Sequence, residues 1–244
     1  MLTTITRVSL LIIATTLQSL SAVPPNPTPD DAYQERFHKP TGNPPSLDRD
    51  VSRTGRGPDS KGWKRPKNDQ MGSRIGSFYL PYAFATFIWV LVVLEIPRSF
   101  GHEDPLNRRL VSGTSLTTLA SLLRLSSFRS LGHHFTYQLA ILPSHTLVTT
   151  GPYAYIRHPS YVALPFAVFG WALSSTSQGT VLGEWFGETN TDRVVLSTMV
   201  GMLYVCWQLS KRAEVEDQVL KEEFGKEWEE WARVVKYRFI PGFY

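Results

Sequence analysis

Two oppositely charged side chains stand just after the last long apolar run of the sequence. Residues 194–210 contain no Asp, Glu, Lys or Arg, and Arg212 and Glu216 follow them. Four residues apart on a helix, the two side chains share one face. An arginine can hold a carboxylate by two parallel hydrogen bonds, so the pair could form part of a binding site. An ion pair at the edge of a membrane can also be a solvated surface contact without a function. The residues alone leave both interpretations open.

A second polar group leads into another apolar run. Residues 151–161 read Gly-Pro-Tyr-Ala-Tyr-Ile-Arg-His-Pro-Ser-Tyr, and the uncharged run 159–183 begins within them. Tyrosine is common at membrane interfaces, and arginine there usually extends its charge toward water. The group is therefore either an interfacial belt or one wall of a site.

Composition argues against several classes of protein. The chain has 25 Lys+Arg against 21 Asp+Glu, and a net charge of +4 is too mild to indicate a nucleic-acid partner. Four histidines, at 133, 134, 145 and 158, lack carboxylates or pairs at metal-ligand spacing, so we expect no metal. The single cysteine, Cys206, lies in an apolar run and is interpreted as a packing residue.

Long uncharged runs mark the candidate membrane spans of the chain, because a helix that spans a bilayer needs about 20 mostly apolar residues. Such runs occupy 75–94, 159–183 and 194–210, and the shorter 110–123 is a weak span or half of a hairpin with the run before it. These runs predict an all-α integral membrane protein, a multispan helical bundle. We assign 75–210 to this transmembrane domain.

The first 74 residues divide into two parts. Residues 1–23 contain a short apolar stretch after Arg7, which fits a signal-like segment or an N-terminal anchor, and we expect an uncleaved anchor. Residues 24–74 hold more than half of the 17 prolines and many charged residues, which predicts a disordered linker. We expect residues 1–74 to be dispensable for chemistry. Basic residues late in the linker place the start of the next span on the cytosolic side.

Two further segments flank the apolar runs. Within the transmembrane domain, 131–158 is interrupted by proline and glycine and is predicted to be a loop or re-entrant segment. After it, 211–244 is predicted to be a cytosolic helix and tail that complete the active site. Its apolar residues recur at spacings typical of an amphipathic helix. They are Leu220, Phe224, Trp228, Trp231 and Val235.

Together, these segments resemble the isoprenylcysteine carboxyl methyltransferase family. The resemblance covers about 132–241 and includes His-Thr-Leu-Val-Thr-Thr-Gly-Pro-Tyr at 145–153 and Arg-His-Pro-Ser-Tyr at 157–161, followed by Arg212 and Glu216. The Arg-His-Pro-x-Tyr pattern also occurs in related membrane phospholipid methyltransferases and sterol reductases. The His-Thr-Leu-Val-Thr lead-in narrows the resemblance to this family.

The resemblance implies a multi-pass enzyme of the endoplasmic reticulum membrane whose active site faces the cytosol. Such an enzyme transfers methyl from S-adenosylmethionine to the C-terminal prenylcysteine carboxylate of processed CaaX proteins. Its partners are these prenylated proteins and the membrane lipid around it. By position, the resemblance assigns a cytosolic-face cofactor pocket to Gln138, His145, Thr146, Leu147, Val148, Tyr153, His158, Pro159, Ser160, Tyr161 and Glu216.

The resemblance also assigns roles within this set. Arg212 corresponds to the arginine that binds the substrate carboxylate, and Arg212 with Glu216 forms the catalytic pair. His158 would donate a hydrogen bond to the cofactor. The chain departs from the family pattern at Ala163, where a glycine is usual, and at Asp217, where a second glutamate is usual. These departures bear on substrate fit more than on methyl transfer.

Two other functions fit parts of the pattern. A membrane phospholipid N-methyltransferase shares the setting and the cofactor, but it must deprotonate an ammonium and has no need of a carboxylate-binding arginine. A catalytically dead membrane adaptor of the same fold would keep the spans and lose the polar residues. Arg212 argues against the first alternative, and the retained polar set argues against the second.

Overall fold

The structure, a computed structural model, describes residues 2–23, 26, 80–101, 106–135, 146–240 and 242. Within these ranges the regular elements are helices, and no β-strand occurs among them. The predicted all-α fold is confirmed for this part of the chain. Gln138, His145 and nearly all of the 24–74 linker lie outside the described residues.

The described α-helices follow one another along the chain, with residues outside the description before α2 and between α3 and α4. Short 3-10 helices at Gly132–His134 and Gly151–Ala154 lie between α3 and α4. The α-helices are α1 (Leu2–Ala22), α2 (Leu80–Gly101), α3 (Arg108–Leu131), α4 (Pro159–Ser175), α5 (Val181–Phe224) and α6 (Lys226–Val234).

Two of the described helices are long and apolar enough to cross a membrane. They contain the stretches Thr4–Ala22 in α1 and Thr189–Phe224 in α5, and α2 contains a shorter apolar stretch at Ala85–Ile96. Large apolar side chains on α5 are mostly exposed, among them Leu203 and Trp207. A long helix with this exposed apolar surface is what contact with lipid requires.

Small side chains let α3 and α4 cross at close range. Gly113 on α3 and Gly170 on α4 are both buried, and Thr117 Oγ1 on α3 reaches the carbonyl oxygen of Ala167 at 3.4 Å. Small residues allow helix backbones to approach closely without a bulky core. Of the two alternatives for 110–123, half of a hairpin with the run before it is not supported by the described residues, because α3 packs mainly on α4 and on α1.

Gly113→Ala is expected to destabilise the fold by about 1 to 3 kcal/mol, because an added Cβ forces this crossing apart. That Cβ would lie 2.5 Å from Ser174 N and 2.7 Å from the Gly170 carbonyl oxygen, and neither backbone atom can turn aside. The matched control is Gly201→Ala on α5, where nothing lies within 4 Å. Thermal unfolding in detergent measures both, and equal melting temperatures would contradict the close crossing.

The apolar run 159–183 forms two helices and not one. Helix α4 ends at Ser175, Gly179 has φ +77°, and Thr180 begins α5 by accepting a hydrogen bond from Gly183 N at 3.1 Å. A left-handed glycine followed by an N-cap threonine reverses the chain direction. The prediction of a single span over 159–183 is therefore wrong in extent.

The C-terminal apolar stripe is also divided. Helix α5 is kinked at Gly187 and from there continues through residue 210 without a break. It ends just before Gly225, which has φ +53°. Leu220 and Phe224 therefore lie on α5, and Trp228 and Trp231 lie on α6. Glycine in this conformation is a common helix terminator. A single amphipathic helix over the stripe is wrong, and its end belongs to the separate helix α6.

Helix α1 is held at both ends by the rest of the bundle. Near its start, Arg7 Nη2 lies 2.7 Å from Glu95 Oε1 of α2, and both side chains are buried. Glu95 Oε2 in turn accepts from Val181 N at 2.8 Å. At the other end, Arg124 Nε of α3 donates to the Ser21 carbonyl at 2.7 Å. These contacts predict that removal of α1 lowers the stability of the bundle.

The contacts also sort the helix ends into two groups. Arg7, Glu95 and Val181 mark one end of the bundle. The other end, called here the site end, contains the end of α1 and the beginning of α4, which Arg124 connects. Arg212 and Glu216 of α5 also lie at the site end, since both contact the first turn of α4.

Candidate active site

The beginning of α4 forms the centre of the candidate site. His158 is the N-cap residue, and Pro159 occupies the first helical turn, where its missing N–H costs nothing. The C-terminal tail runs beside this turn, because Arg157 N donates to the Tyr237 carbonyl at 3.0 Å and His158 N donates to the Arg238 carbonyl at 2.9 Å. The tail thus fixes the backbone from which the site residues project.

Arg212 and Glu216 meet at this turn, together with Tyr161. Arg212 Nε donates to Tyr161 Oη at 2.8 Å and lies 3.2 Å from Glu216 Oε1. Tyr161 donates its hydroxyl proton to the same carboxylate oxygen. The side chains of Arg212 and Glu216 are 13% and 21% exposed, so the pair is largely shielded yet still open to a ligand.

His158 lies between two carboxylates of α5. Its Nε2 is 3.0 Å from Asp217 Oδ1, and its Nδ1 is 3.4 Å from Glu216 Oε2. The ring also stacks on Tyr161, with centroids 5.4 Å apart. Both ring nitrogens therefore face acceptors within the protein. This geometry argues against the expected hydrogen bond from His158 to the cofactor and makes the imidazole a link between α4 and α5.

Asp217 joins three cationic groups. Besides His158, it accepts from Arg157 Nη1 and from Arg238 Nε, each at 2.8 Å on Oδ2. Its side chain is 5% exposed. A buried carboxylate is tolerated only when its charge is compensated, and these partners supply that compensation. Asp217 thus ties α5 to the start of α4 and to the tail.

The pKa of His158 is raised above its ordinary value of 6.5. Burial by itself lowers the pKa, but the hydrogen bonds to Asp217 and Glu216, together with their charges, outweigh it. The protonated ring is thus favoured in the folded chain. Its contribution to stability is complete below the unfolded pKa and disappears as the pH rises through the higher folded pKa.

We therefore expect the stability advantage of the wild type over His158→Gln to be largest below about pH 6.5 and to shrink as the pH rises. Glutamine keeps a hydrogen-bond donor but does not titrate. Melting temperatures of both proteins in the same detergent, recorded from pH 6 upward, measure the difference. A difference that stays constant with pH would show that His158 is neutral in the folded chain.

The lead-in to the turn packs on helix α6. Tyr153, Trp231 and Val235 form a buried cluster, and Leu147 and Val148 lie against it. Trp231 Nε1 donates to the Tyr153 carbonyl at 3.2 Å. Burial and the nearby charge of Glu216 raise the pKa of Tyr153, against a smaller opposite effect of Arg124, so the phenol stays neutral. The cluster positions the lead-in segment beside the first turn of α4.

The described residues of the predicted cofactor set thus lie in two connected places. At the first turn of α4, His158 and Tyr161 meet α5 and Ser160 meets α3. Leu147, Val148 and Tyr153 instead meet α6. Thr146 Oγ1 lies 3.4 Å from His134 Nε2. Sequence reasoning gave no role to Arg124 or Arg238, because both are distant along the chain from the site residues that they contact. Their only signal was a charge inside or beside an apolar segment.

The arrangement suits a cationic ligand next to an anionic one. The carboxylate of Glu216 and the ring of Tyr161 can face a positive group, while Arg212 can bind a carboxylate. S-adenosylmethionine carries a positive sulfonium, so a carboxylate and an aromatic ring at this place fit such a cofactor. A positive and a negative ligand can thus be held side by side at one end of the bundle.

Part of the chain matches a known protein family. Residues 113–182 match the model of the isoprenylcysteine carboxyl methyltransferase family. The matched stretch runs from α3 through the first turn of α4 to the start of α5, and the resemblance predicted from the sequence is confirmed. Arg212 and Glu216 lie outside the matched residues, and the fold brings them to the matched turn.

Two curated relatives are named protein-S-isoprenylcysteine O-methyltransferase. The one from Dictyostelium discoideum is 29% identical over 133 residues, which are 53% of this chain and 48% of the relative. The one from Schizosaccharomyces pombe is 31% identical over 126 residues, which are 51% of this chain and 46% of the relative. The matches thus span about half the length of these relatives. No solved structure gives a significant match.

Proposed function

We propose that the chain, whose residues 113–182 match the isoprenylcysteine carboxyl methyltransferase family, transfers a methyl group from S-adenosylmethionine to the C-terminal carboxylate of a prenylated cysteine. The observation that carries the proposal is the contact of Arg212 with Tyr161 and Glu216. This contact supports the proposal because Arg212, a cation of α5 that could bind a carboxylate, meets the first turn of α4 beside groups that suit a cationic cofactor.

The nucleophile of this reaction needs no activation by a base. A C-terminal carboxyl group has a pKa of about 3.5 and is ionised at neutral pH. What the protein must do is hold the carboxylate in line with the methyl group and keep water away from both. A site in which His158 is fully engaged by Asp217 and Glu216 is consistent with chemistry that requires no general base.

Arg212 is assigned to the substrate carboxylate. Its guanidinium is oriented by Tyr161 and Glu216 through Nε, and an arginine presents further N–H donors in the same plane. Planar donors match the two oxygens of a carboxylate. Because Tyr161 and Glu216 fix the plane of the guanidinium, the direction of the bound carboxylate is fixed as well.

The cofactor is assigned to the first turn of α4 and its lead-in. S-adenosylmethionine, when bound, supplies an activated methyl group on a sulfonium. Glu216 and Tyr161 would face its positive charge, and Ser160 and Thr146 lie on the same stretch of chain. Gln138 and His145, outside the described residues, complete the proposed set.

The position of Arg212 suits a lipid-modified substrate. At 1.5 Å per residue, the uncharged run from 194 to 210 is about 26 Å long, enough to cross most of a bilayer core of about 30 Å. Arg212 then lies at the membrane surface. A prenyl chain can stay in the lipid while its carboxylate reaches Arg212. We propose processed CaaX proteins at the cytosolic face of the endoplasmic reticulum membrane as the substrates.

Radiolabelled methyl transfer to N-acetyl farnesylcysteine tests the proposal, with its methyl ester as the blocked control. We expect label in the acid and none in the ester. A phospholipid N-methyltransferase would instead label phosphatidylethanolamine in the same membranes. Calorimetric titration of the purified protein with S-adenosylhomocysteine separates these outcomes from a dead site, which would bind nothing. Label in lipid, or no binding, would overturn the proposed reaction.

A further inference from the structure

Arg124 is a buried arginine on α3 that touches both α1 and α4. The residue is 4% exposed, and its guanidinium carbon lies 5.0 Å from the centre of the Phe128 ring. Its Nη1 donates to Ser160 Oγ at 2.9 Å and to the Ser160 carbonyl at 3.2 Å. Its Nε donates to the Ser21 carbonyl at 2.7 Å. One guanidinium thus contacts three oxygens on two neighbouring helices.

The contact with α4 falls on the turn that forms the candidate site. Ser160 precedes Tyr161 and comes two residues after His158. Successive residues on a helix point about 100° apart, so Ser160 can face α3 while Tyr161 faces α5. Holding both the hydroxyl and the carbonyl of Ser160 fixes the rotation of this turn. The rotation in turn sets the place of the Tyr161 hydroxyl, which Arg212 and Glu216 share.

The contact with α1 falls on a carbonyl that the helix itself leaves open. Ser21 lies in the last turn of α1, where carbonyl groups lack intrahelical donors. A cation at the end of a helix satisfies such carbonyls and opposes the negative end of the helix dipole. Since Arg7 holds the start of α1 through Glu95, Arg124 rests on an element that is itself held in place.

We propose that Arg124 is a positioning residue, which holds the first turn of α4 against α1 and thereby sets the Tyr161 hydroxyl between Arg212 and Glu216. The inference rests on the proposed function for its catalytic consequence. Its structural consequence, the fixing of the first turn of α4, stands without it. The two consequences call for separate measurements.

The kinetic test compares Arg124→Gln with the wild type, and Arg109→Gln is the matched control. Arg109 is an arginine of the same helix that makes an exposed ion pair with Asp192. We expect kcat for N-acetyl farnesylcysteine to fall by about 10- to 100-fold in Arg124→Gln, as small displacements of reacting groups do, and to stay unchanged in the control. An unchanged kcat in folded Arg124→Gln would overturn the positioning role.

A double-mutant cycle with Tyr161→Phe separates positioning from a general loss of stability. If Arg124 acts by placing the Tyr161 hydroxyl, removing that hydroxyl should cost much less in Arg124→Gln than in the wild type. If the two substitutions lower kcat independently, so that the loss in the double variant equals the product of the two single losses, the inference is overturned. Should Arg124→Gln fail to fold, Arg124→Lys, which keeps the buried cation, takes its place in the cycle with a smaller expected fall in kcat.

Hydrogen exchange tests the same inference without any activity. In Arg124→Gln the backbone amides of residues 160–164 should exchange faster than in the wild type, and the far end of α4 near Ser174 should change little. Arg109→Gln should leave both regions unchanged. Equal exchange at 160–164 in Arg124→Gln and wild type would overturn the inference even if methylation were never observed. An inactive wild type with faster exchange in the variant would overturn the proposed function alone.

Discussion

Arg212→Lys is expected to lower kcat/KM for N-acetyl farnesylcysteine by about 10- to 100-fold while the affinity for S-adenosylhomocysteine stays nearly unchanged. Lysine keeps the positive charge near Glu216, but it loses the planar set of donors that contacts Tyr161 and can grip a carboxylate. The kinetic constants and the titration are measured on the same preparation.

The control for this substitution is Arg109→Lys. Arg109 also makes an ion pair with a carboxylate, Asp192, but both side chains are well exposed and belong to α3 and the early part of α5. Exposed ion pairs contribute little, so Arg109→Lys should leave both measurements unchanged. Near-wild-type turnover in Arg212→Lys would falsify the carboxylate contact and leave Arg212 as an interfacial residue that lysine can replace.

Arg7→Leu is expected to destabilise the fold by about 3 to 5 kcal/mol, because it removes the cation beside a buried carboxylate. The Glu95 side chain is 8% exposed and contacts both Arg7 and the start of α5. The double substitution Arg7→Leu with Glu95→Leu should recover much of the loss, since no charge then remains buried. Thermal unfolding in detergent measures all three proteins.

Arg109→Leu serves as the exposed counterpart, with an expected change of about 0 to 1 kcal/mol. A loss in Arg7→Leu no larger than in this control would show that α1 is not held by its ion pair. A chain that begins at Met71 should lose stability to a similar or greater extent, because it lacks α1 altogether. The expectation that residues 1–74 are dispensable for the chemistry stays a prediction, and methyl transfer by the same shortened chain tests it.

Sequence reasoning succeeded where the interacting residues are close along the chain. The shared face of Arg212 and Glu216 followed from their spacing of four, and the structure places Nε and Oε1 3.2 Å apart. The joining of Tyr161 to this pair was expected from the family resemblance, and not from spacing. The all-α fold of the described residues followed from uncharged runs of sufficient length.

The sequence failed where distant parts of the chain compensate a charge. Arg124 ended the apolar run 110–123 because a charge in a span is costly, yet the helix continues through it, since Ser21 and Ser160 supply oxygens. Asp217 was treated as a departure from a family pattern. Its partners Arg157 and Arg238 lie 60 and 21 residues away, and no local pattern connects them.

Local signals for the end of a helix were present in the sequence, but the regular spacing of apolar residues was given more weight. Gly225 follows Phe224 and ends α5 in a left-handed conformation, as glycine after a helix commonly does. The regular spacing of Leu220 through Val235 suggested one helix instead. Similarly, Gly179 and Thr180 carried turn and cap signals inside the apolar run 159–183. Hydrophobic spacing alone therefore placed the ends of both helices too late in the chain.

If α5 crosses a bilayer as proposed, its unbroken passage through residue 210 ties the height of Arg212 to the thickness of that bilayer. In the most apolar part of this helix only 6% of the residues are buried within the protein, so lipid would contact much of its surface. A helix adapts to a thinner or thicker bilayer by tilting, and Arg212 must move with it. Tyr161 belongs to α4, which is firmly packed on α3. Because His158 and Asp217 tie α5 to the first turn of α4, bilayer thickness would act on the contacts that join the two halves of the site.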